Sequence, residues 1–193
     1  MAQAPREHNR PFVVAYVIGV TPGKWARTWS ERMPRHPLTL TQLSQQQAVA
    51  ALRSGEAHVA LLRLPLTEEL EREAAAIPLY TEAVVVVAAK DHPVAAFEPV
   101  SRADLVGEMM LDAAGDSEWP GAIELVAANV GLAIMPQPVA RALSRRDVVA
   151  LVLTNEEGPR IALVWLTASE SPEIDEFIGI VRGRTANSSR GRR

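Results

Sequence analysis

Residues 12–20 (FVVAYVIGV) form an uncharged run of β-branched and aromatic side chains, the pattern of a buried strand. Thr21 and Pro22 then offer a cap and a first helical position, and Trp25, Trp29 and Met33 recur at four-residue spacing. The spacing predicts a helix that must stop near Pro34 or Pro37. Residues 38–43 (LTLTQL) alternate as a strand does, and Ser44 opens a second helix in which Ala48, Val49 and Leu52 point inward and Gly55 closes the last turn. Residues 58–62 (HVALL) complete a β-α-β-α-β order. Short helical crossovers of this kind predict parallel strands with helices packed on the sheet.

After Pro65 the charged stretch TEELEREAAA predicts a short surface helix, and Pro78 precedes the most hydrophobic strand of the chain, EAVVVVAAK. Ser101 followed by Asp104 marks a capping box. Residues 109–111 (MML) read as a brief strand and 112–121 (DAAGDSEWPG) as turns. A helix over 122–128 leads through Gly131 into the strand LAIMP, which Pro136 stops, and Pro138 starts a helix ending near Arg145. Two strands follow, VVALVLT and RIALVWLT, joined across 155–159. The final helix has Ser171 as cap, Pro172 at its first position and an apolar stripe of Ile174, Phe177, Ile178 and Val181. No internal repeat is present.

A chain of 193 residues, 48% apolar and 22% charged, suits one domain or two small lobes sharing a hinge, and excludes a disordered or collagen-like chain. With no cysteine, disulfide frameworks, thiolate metal sites and cysteine nucleophiles are excluded. The formal charge of −3 conceals an asymmetry: residues 182–193 carry five arginines and no acid, so the rest of the chain is acidic. An acidic body is a poor non-specific nucleic-acid binder, which leaves DNA contact, if any, to the basic tail or to an indirect route. The tail reads as a disordered solubilising segment. No apolar run approaches the ~20 residues of a membrane-spanning helix, and the first eleven residues lack the apolar core of an export signal. The expected location is cytoplasmic, with no membrane partner.

Enzyme motifs are missing. His8, His36, His58 and His92 lie far apart, and no nucleophile elbow, phosphate loop, dinucleotide fingerprint or zinc-helix motif occurs. The expectation is a protein that is not an enzyme and has no cofactor and no metal. The glutamates at 68–73 fit a solvated helix face, and Asp112 and Asp116 fit a polar turn. Three loops at the carboxyl ends of the first strands carry more, because open α/β sheets bind ligands there. They are Thr21-Pro22-Gly23-Lys24, Ser44-Gln45 and Arg63. The helix starts offer unpaired N–H groups, Lys24 adds charge, and an arginine leaving a buried strand is placed to clamp a carboxylate. The plainer reading stays open beside this one: Thr21 and Ser44 as helix caps, and Arg63 as partner to a nearby acid. The face carrying Trp25, Trp29 and Met33 fits either core or a subunit interface.

Several phrases, in order, resemble the effector-binding domain of LysR-type transcriptional regulators. SQQQAVAALRSGEAHVALLRLP resembles that family's Q-x-x-x-x-L-x-x-G-x-x-D-x-x-L stretch through Gln45, Leu52 and Gly55, with His58 at the usual aspartate. His92, Pro93, Val94 and Ala95 resemble its His-Pro-Leu-Ala phrase, and VSRADLVGEMML the helix after it. IELVAANVGLAIMPQPVAR resembles its glycine-rich strand approach, with Asn129 replacing a glycine before Gly131 and Pro136. EFIGIVRGR resembles the last helix of a standalone actinobacterial branch. The likeness covers about 12–183.

The resemblance implies a type 2 periplasmic-binding-protein-like α/β fold of two lobes and a hinge: an extension over 1–11, lobe I over 12–82 and 146–181, lobe II over 83–145, and the tail from 182. It implies a small anionic effector, typically an organic acid, held by Thr21, Gly23, Lys24, Ser44, Gln45 and Arg63. It also implies a homodimer in which the Trp25–Trp29 face and Met33 meet a helix near 138–145. Two departures stand out. No winged helix-turn-helix precedes the first strand, so a free-standing sensing domain is expected. The stretch between Leu111 and Ile123 is much shorter than in relatives, which predicts a shortened second lobe. A transport-type solute-binding protein, or a protein-interaction scaffold with a nucleic-acid-contacting tail, are the alternatives.

Overall fold

A computed structural model describes residues 10–113 and 115–183. Its first sheet is built as the hydrophobic runs predict. β1 (Phe12–Tyr16), β2 (Leu38–Gln42) and β3 (Val59–Arg63) are parallel, with α1 (Gly23–Arg32) and α2 (Gln45–Ser54) as the crossovers. Ser44 caps α2 through a complete capping box with Gln47, and Gly55 closes the helix at φ 75°, where an L side chain would be strained. A short charged helix, α3 (Glu68–Glu73), leads into β4 (Ala74–Thr81). The chain then leaves for the second lobe and returns as β8 (Arg160–Leu166), which inserts antiparallel between β3 and β4, giving the order β2-β1-β3-β8-β4. The last helix, α6 (Pro172–Val181), capped by Ser171, packs beside α1.

The second lobe is a three-stranded antiparallel sheet, β6-β5-β7, made from β5 (Val84–Ala89), β6 (Ala133–Pro136) and β7 (Val148–Val152). Its outer edges taper to single bridges, Met110 with Leu132 and Val100 with Leu153. β5 is apolar throughout because both of its faces are buried. Val85 and Val87 pack under α4 (Trp119–Ala127) and α5 (Gln137–Ala142), while Val84, Val86 and Ala88 meet Val94, Val100 and Leu105 on the other side. Asn129 sits at φ 56°, a left-handed position that asparagine tolerates, which explains how it stands where a glycine was expected. A Cβ at Gly131 would run into the Met109 backbone, so that glycine is required.

The structure corrects several expectations. β4 was not anticipated, because its exposure alternates and Pro78 lies within it. As an edge strand it needs no N–H at that proline, and a register shift between Pro78 and Tyr80 absorbs the irregularity. β7 belongs to the second sheet, so lobe I resumes near the 153–159 crossover and not at 146. α4 begins at Trp119, inside the stretch expected to be turns. Trp29 is fully buried inside lobe I and cannot form a subunit interface: it stacks on Phe12 at 4.6 Å, packs against Phe177 and donates its indole N–H to the His36 carbonyl at 2.7 Å. Trp25 and Met33 are only partly buried. The extension before residue 10 and the basic tail beyond 183 lie outside the described residues.

Candidate functional site

The cleft between the lobes forms where β3 ends. A hollow of about 480 Å³ is walled by Gln45, Arg63 and Pro65 from lobe I, by Trp119, Ile134 and Met135 from lobe II, and by Glu156 and Pro159 on the return crossover. That size suits a small organic molecule, and most of the wall is apolar.

Arg63 is the charged centre, and it is 7% exposed. A buried guanidinium must have its charge and its donors answered. Here Nε and Nη2 fork onto the two oxygens of Glu82 at 2.7 and 3.1 Å, Nη2 also donates to the Ile18 carbonyl at 2.6 Å, and Nη1 reaches Asp116 Oδ1 at 3.4 Å. The guanidinium lies over the Trp119 ring, 5.1 Å from its centroid. Glu82 is itself 3% exposed and sits at the β4-to-β5 crossover, so this pair ties the floor of the cleft to the hinge.

Gln45 holds the same strand end from the other side. Its side-chain amide accepts from Arg63 N–H and donates to Arg63 C=O, both at 2.9 Å. β1 pairs with β3 only as far as Tyr16 and Leu61, so the Gln45 carboxamide continues the ladder where the strand has run out. The Gln45 backbone N–H, in the first turn of α2, donates to Asp116 Oδ2 at 3.0 Å. A carboxylate is therefore held by a helix N-terminus and an arginine, the combination suited to anion recognition, and the carboxylate is the chain's own. Burial pushes the Asp116 carboxyl above its ordinary value, outweighing the opposing pull of Arg63 and the Gln45 N–H.

The residues expected at the site divide. Gln45 and Arg63 come together in the cleft. Ser44 is the α2 cap, its hydroxyl accepting from Gln47 N–H at 3.2 Å. Thr21 and Gly23 line a separate hollow with Pro138 and Arg141, which shares no residue with the first, and Lys24 is exposed and lines neither. Thr21 does not cap α1, whose N-cap is Pro22. Glu82, Asp116 and Trp119 were not singled out as site residues. Pro120 in the first turn of α4 is the local signal that would have placed Trp119 at a helix start. Among the described residues no group of acidic and histidine side chains could hold a metal ion, and no helix is long and apolar enough to cross a membrane.

Two lobes joined by paired crossovers, with a polar anchor at the strand ends facing an apolar wall, define a two-lobed α/β domain of the type 2 periplasmic-binding-protein fold. Residues 23–118 match the family model of the LysR substrate binding domain. Solved structures agree along nearly the whole chain. The oxidised form of OxyR aligns with TM-score 0.69 and 24% identity over 90% of this chain and 93% of that one. The effector-binding domain of QuiR, in complex with shikimate, aligns at 0.71 and 16% over 90% and 95%. The effector-binding domain of BenM with its effector benzoate aligns at 0.68 and 15%, over 90% of each. Against an OxyR mutant from Corynebacterium glutamicum the match is 0.69 and 20%, covering 93% of this chain and 66% of that longer one. At these identities the likeness concerns the fold. No curated protein matches by sequence.

Proposed function

We propose that the protein is a ligand-sensing regulatory domain that binds a small carboxylate-bearing effector in the cleft between its lobes, without enzymatic activity. The observation that carries this reading is the arginine-plus-helix-N-terminus anchor at Arg63 and Gln45, facing a hollow of about 480 Å³ with apolar walls. A carboxylate would take the anchor and its organic remainder the apolar wall. QuiR and BenM, which share the fold, are seen with shikimate and benzoate. Binding that favours the closed arrangement of the lobes would shift their equilibrium, and the signal would pass to a DNA-bound partner or through the basic tail.

The test is a titration of the whole chain with a panel of small carboxylic acids at pH 7, read by melting temperature and by tryptophan fluorescence, since Trp119 lines the cleft. At least one acid should bind saturably, and Ala113→Phe, which fills the hollow, should abolish the response. Saturation by none of them, or an unchanged response in the filled variant, overturns the reading.

The same reading carries a cytoplasmic homodimer that pairs through α1. With Trp29 inside the core, Trp25 and Met33 remain to serve as its surface. Light scattering should give a dimer that Trp25→Glu converts to monomer. A monomeric parent protein overturns the assignment.

A further inference from the structure

We propose that Asp116 is a built-in occupant of the cleft's carboxylate anchor, and that an external carboxylate binds by displacing it. The inference rests on reading the cleft as a carboxylate-sensing site, and it assigns the regulation of that site.

Glu82 and Asp116 both face Arg63, but not equally. Glu82 is locked by two short bonds in fork geometry and has no exposed side-chain surface, whereas Asp116 makes a single contact to Arg63, at 3.4 Å. Glu82 is the permanent counter-ion; Asp116 is the exchangeable one. Its other oxygen takes the Gln45 N–H at the start of α2, so the two contacts reproduce what a bound organic acid would make. Losing Asp116 strips the Gln45 N–H and Arg63 Nη1 of the acceptor they share.

The supporting scaffold fits exchange. Asp116 comes from the short turn between Leu111 and α4, on the second lobe, and it reaches across to the first. Two carboxylates against one guanidinium, with burial disfavouring the ionised form of Asp116, make this contact a weak hold. Among the described residues the other charged side chain on the cleft wall is Glu156, which is paired with Arg102 outside the hollow at 2.7 and 3.0 Å and so balanced. An effector that takes the anchor also cuts an interlobe tie, which couples occupancy to the relation between the lobes. Affinity for any acid is then lowered by the fraction of molecules in which Asp116 already fills the site.

The test uses formate, the group that Asp116→Ala deletes. Melting temperature of the full chain is followed against sodium formate at pH 7, with sodium chloride at matched ionic strength as reference. Formate should stabilise Asp116→Ala saturably, at a concentration at least tenfold below any effect on the parent, and chloride should not. Asp116→Ser serves if the alanine variant does not fold. Asp116→Asn, which keeps the volume, should stay insensitive. Equal formate responses in parent and Asp116→Ala, or no response in either, overturn the proposal. If a larger acid saturates the parent while Asp116→Ala binds it no tighter, the sensing reading stands and the displaced-aspartate proposal falls. If formate enters Asp116→Ala but no acid ever saturates the parent, the built-in occupant stands and the sensing reading falls.

Discussion

Gln45 and Arg63, 18 residues apart, hold each other through a reciprocal pair of 2.9 Å hydrogen bonds between one side-chain amide and one peptide backbone. The amide replaces the next rung of the β1–β3 ladder, so the end of β3 is fixed in place before any ligand arrives. Gln45→Ala removes both partners and leaves the backbone N–H and C=O of buried Arg63 unanswered, at a cost of about 1–3 kcal/mol. Gln45→Glu keeps an acceptor for the Arg63 N–H but loses the donor to its carbonyl, and should fall between. Urea unfolding of the three proteins checks the order, and effector affinity should drop with stability, because the anchor loses its position.

Arg63 and Glu82 are unequal partners. Arg63 answers two carboxylates and the Ile18 carbonyl, while the Glu82 carboxylate depends on Arg63, which holds both of its oxygens. Arg63→Ala therefore leaves a buried, unpaired Glu82 and should destabilise by about 3–5 kcal/mol. Glu82→Gln leaves the guanidinium with Asp116 and should cost clearly less. Denaturant midpoints at pH 7 measure the difference; equal losses would mean that Asp116 contributes nothing to balancing the arginine.

What the sequence disclosed follows from how local each signal is. β1, β2 and β3 each carry their own hydrophobic pattern, and α2 and α6 their own apolar period and cap, so they are legible in a window of a dozen residues. β4 is not, since its residues become a strand only by pairing with β8, from Ala74 with Leu166 to Thr81 with Arg160, far along the chain. The site divides in the same way. Arg63 stands out as a charge leaving an apolar strand, but its partners Glu82 and Asp116 lie 19 and 53 residues away, in segments whose local pattern says only crossover and turn. Trp29 misled because helical spacing gives the face of a side chain and not what covers it. Here Phe12 and Phe177 from the same lobe cover it.

His58 supplies a pH test. Its Nδ1 accepts from the Val13 N–H at 3.0 Å, which requires that nitrogen to be unprotonated, and its ring stacks on Phe12 at 5.0 Å. Burial pushes the imidazole below its ordinary value of 6.5, with Glu173 opposing. For a group whose folded value is depressed, the stabilisation is full above the unfolded value and is lost as pH falls through it toward the folded one. Stability of the parent should therefore decline as pH falls below about 6.5. Asp116, shifted upward, runs the opposite way, its ionisation costing stability as pH rises through its folded value. The difference between parent and His58→Asn, which keeps an acceptor for Val13, isolates the imidazole contribution. A difference independent of pH over that decline would rule it out.

The hinge has its own test in Gly158. The two crossovers meet here: the Glu82 N–H donates to the Pro159 carbonyl at 2.9 Å, and a Cβ on Gly158 would fall on the Glu82 backbone carbonyl. The obstacle is backbone and not a movable side-chain tip, so Gly158→Ala must push the crossovers apart, at about 1–3 kcal/mol. Gly121, within α4, has open space around its missing Cβ, and Gly121→Ala should be neutral or stabilise by about 0.5–1 kcal/mol through helix propensity. Because the Glu82 carboxylate also holds Arg63, the first substitution should weaken carboxylate binding as well as folding, and the second should leave binding alone. Thermal melts and acid titrations on the two alanine variants separate these outcomes. Unchanged binding in a folded Gly158→Ala protein would show that the hinge and the anchor are independent, despite the ion pair that joins them.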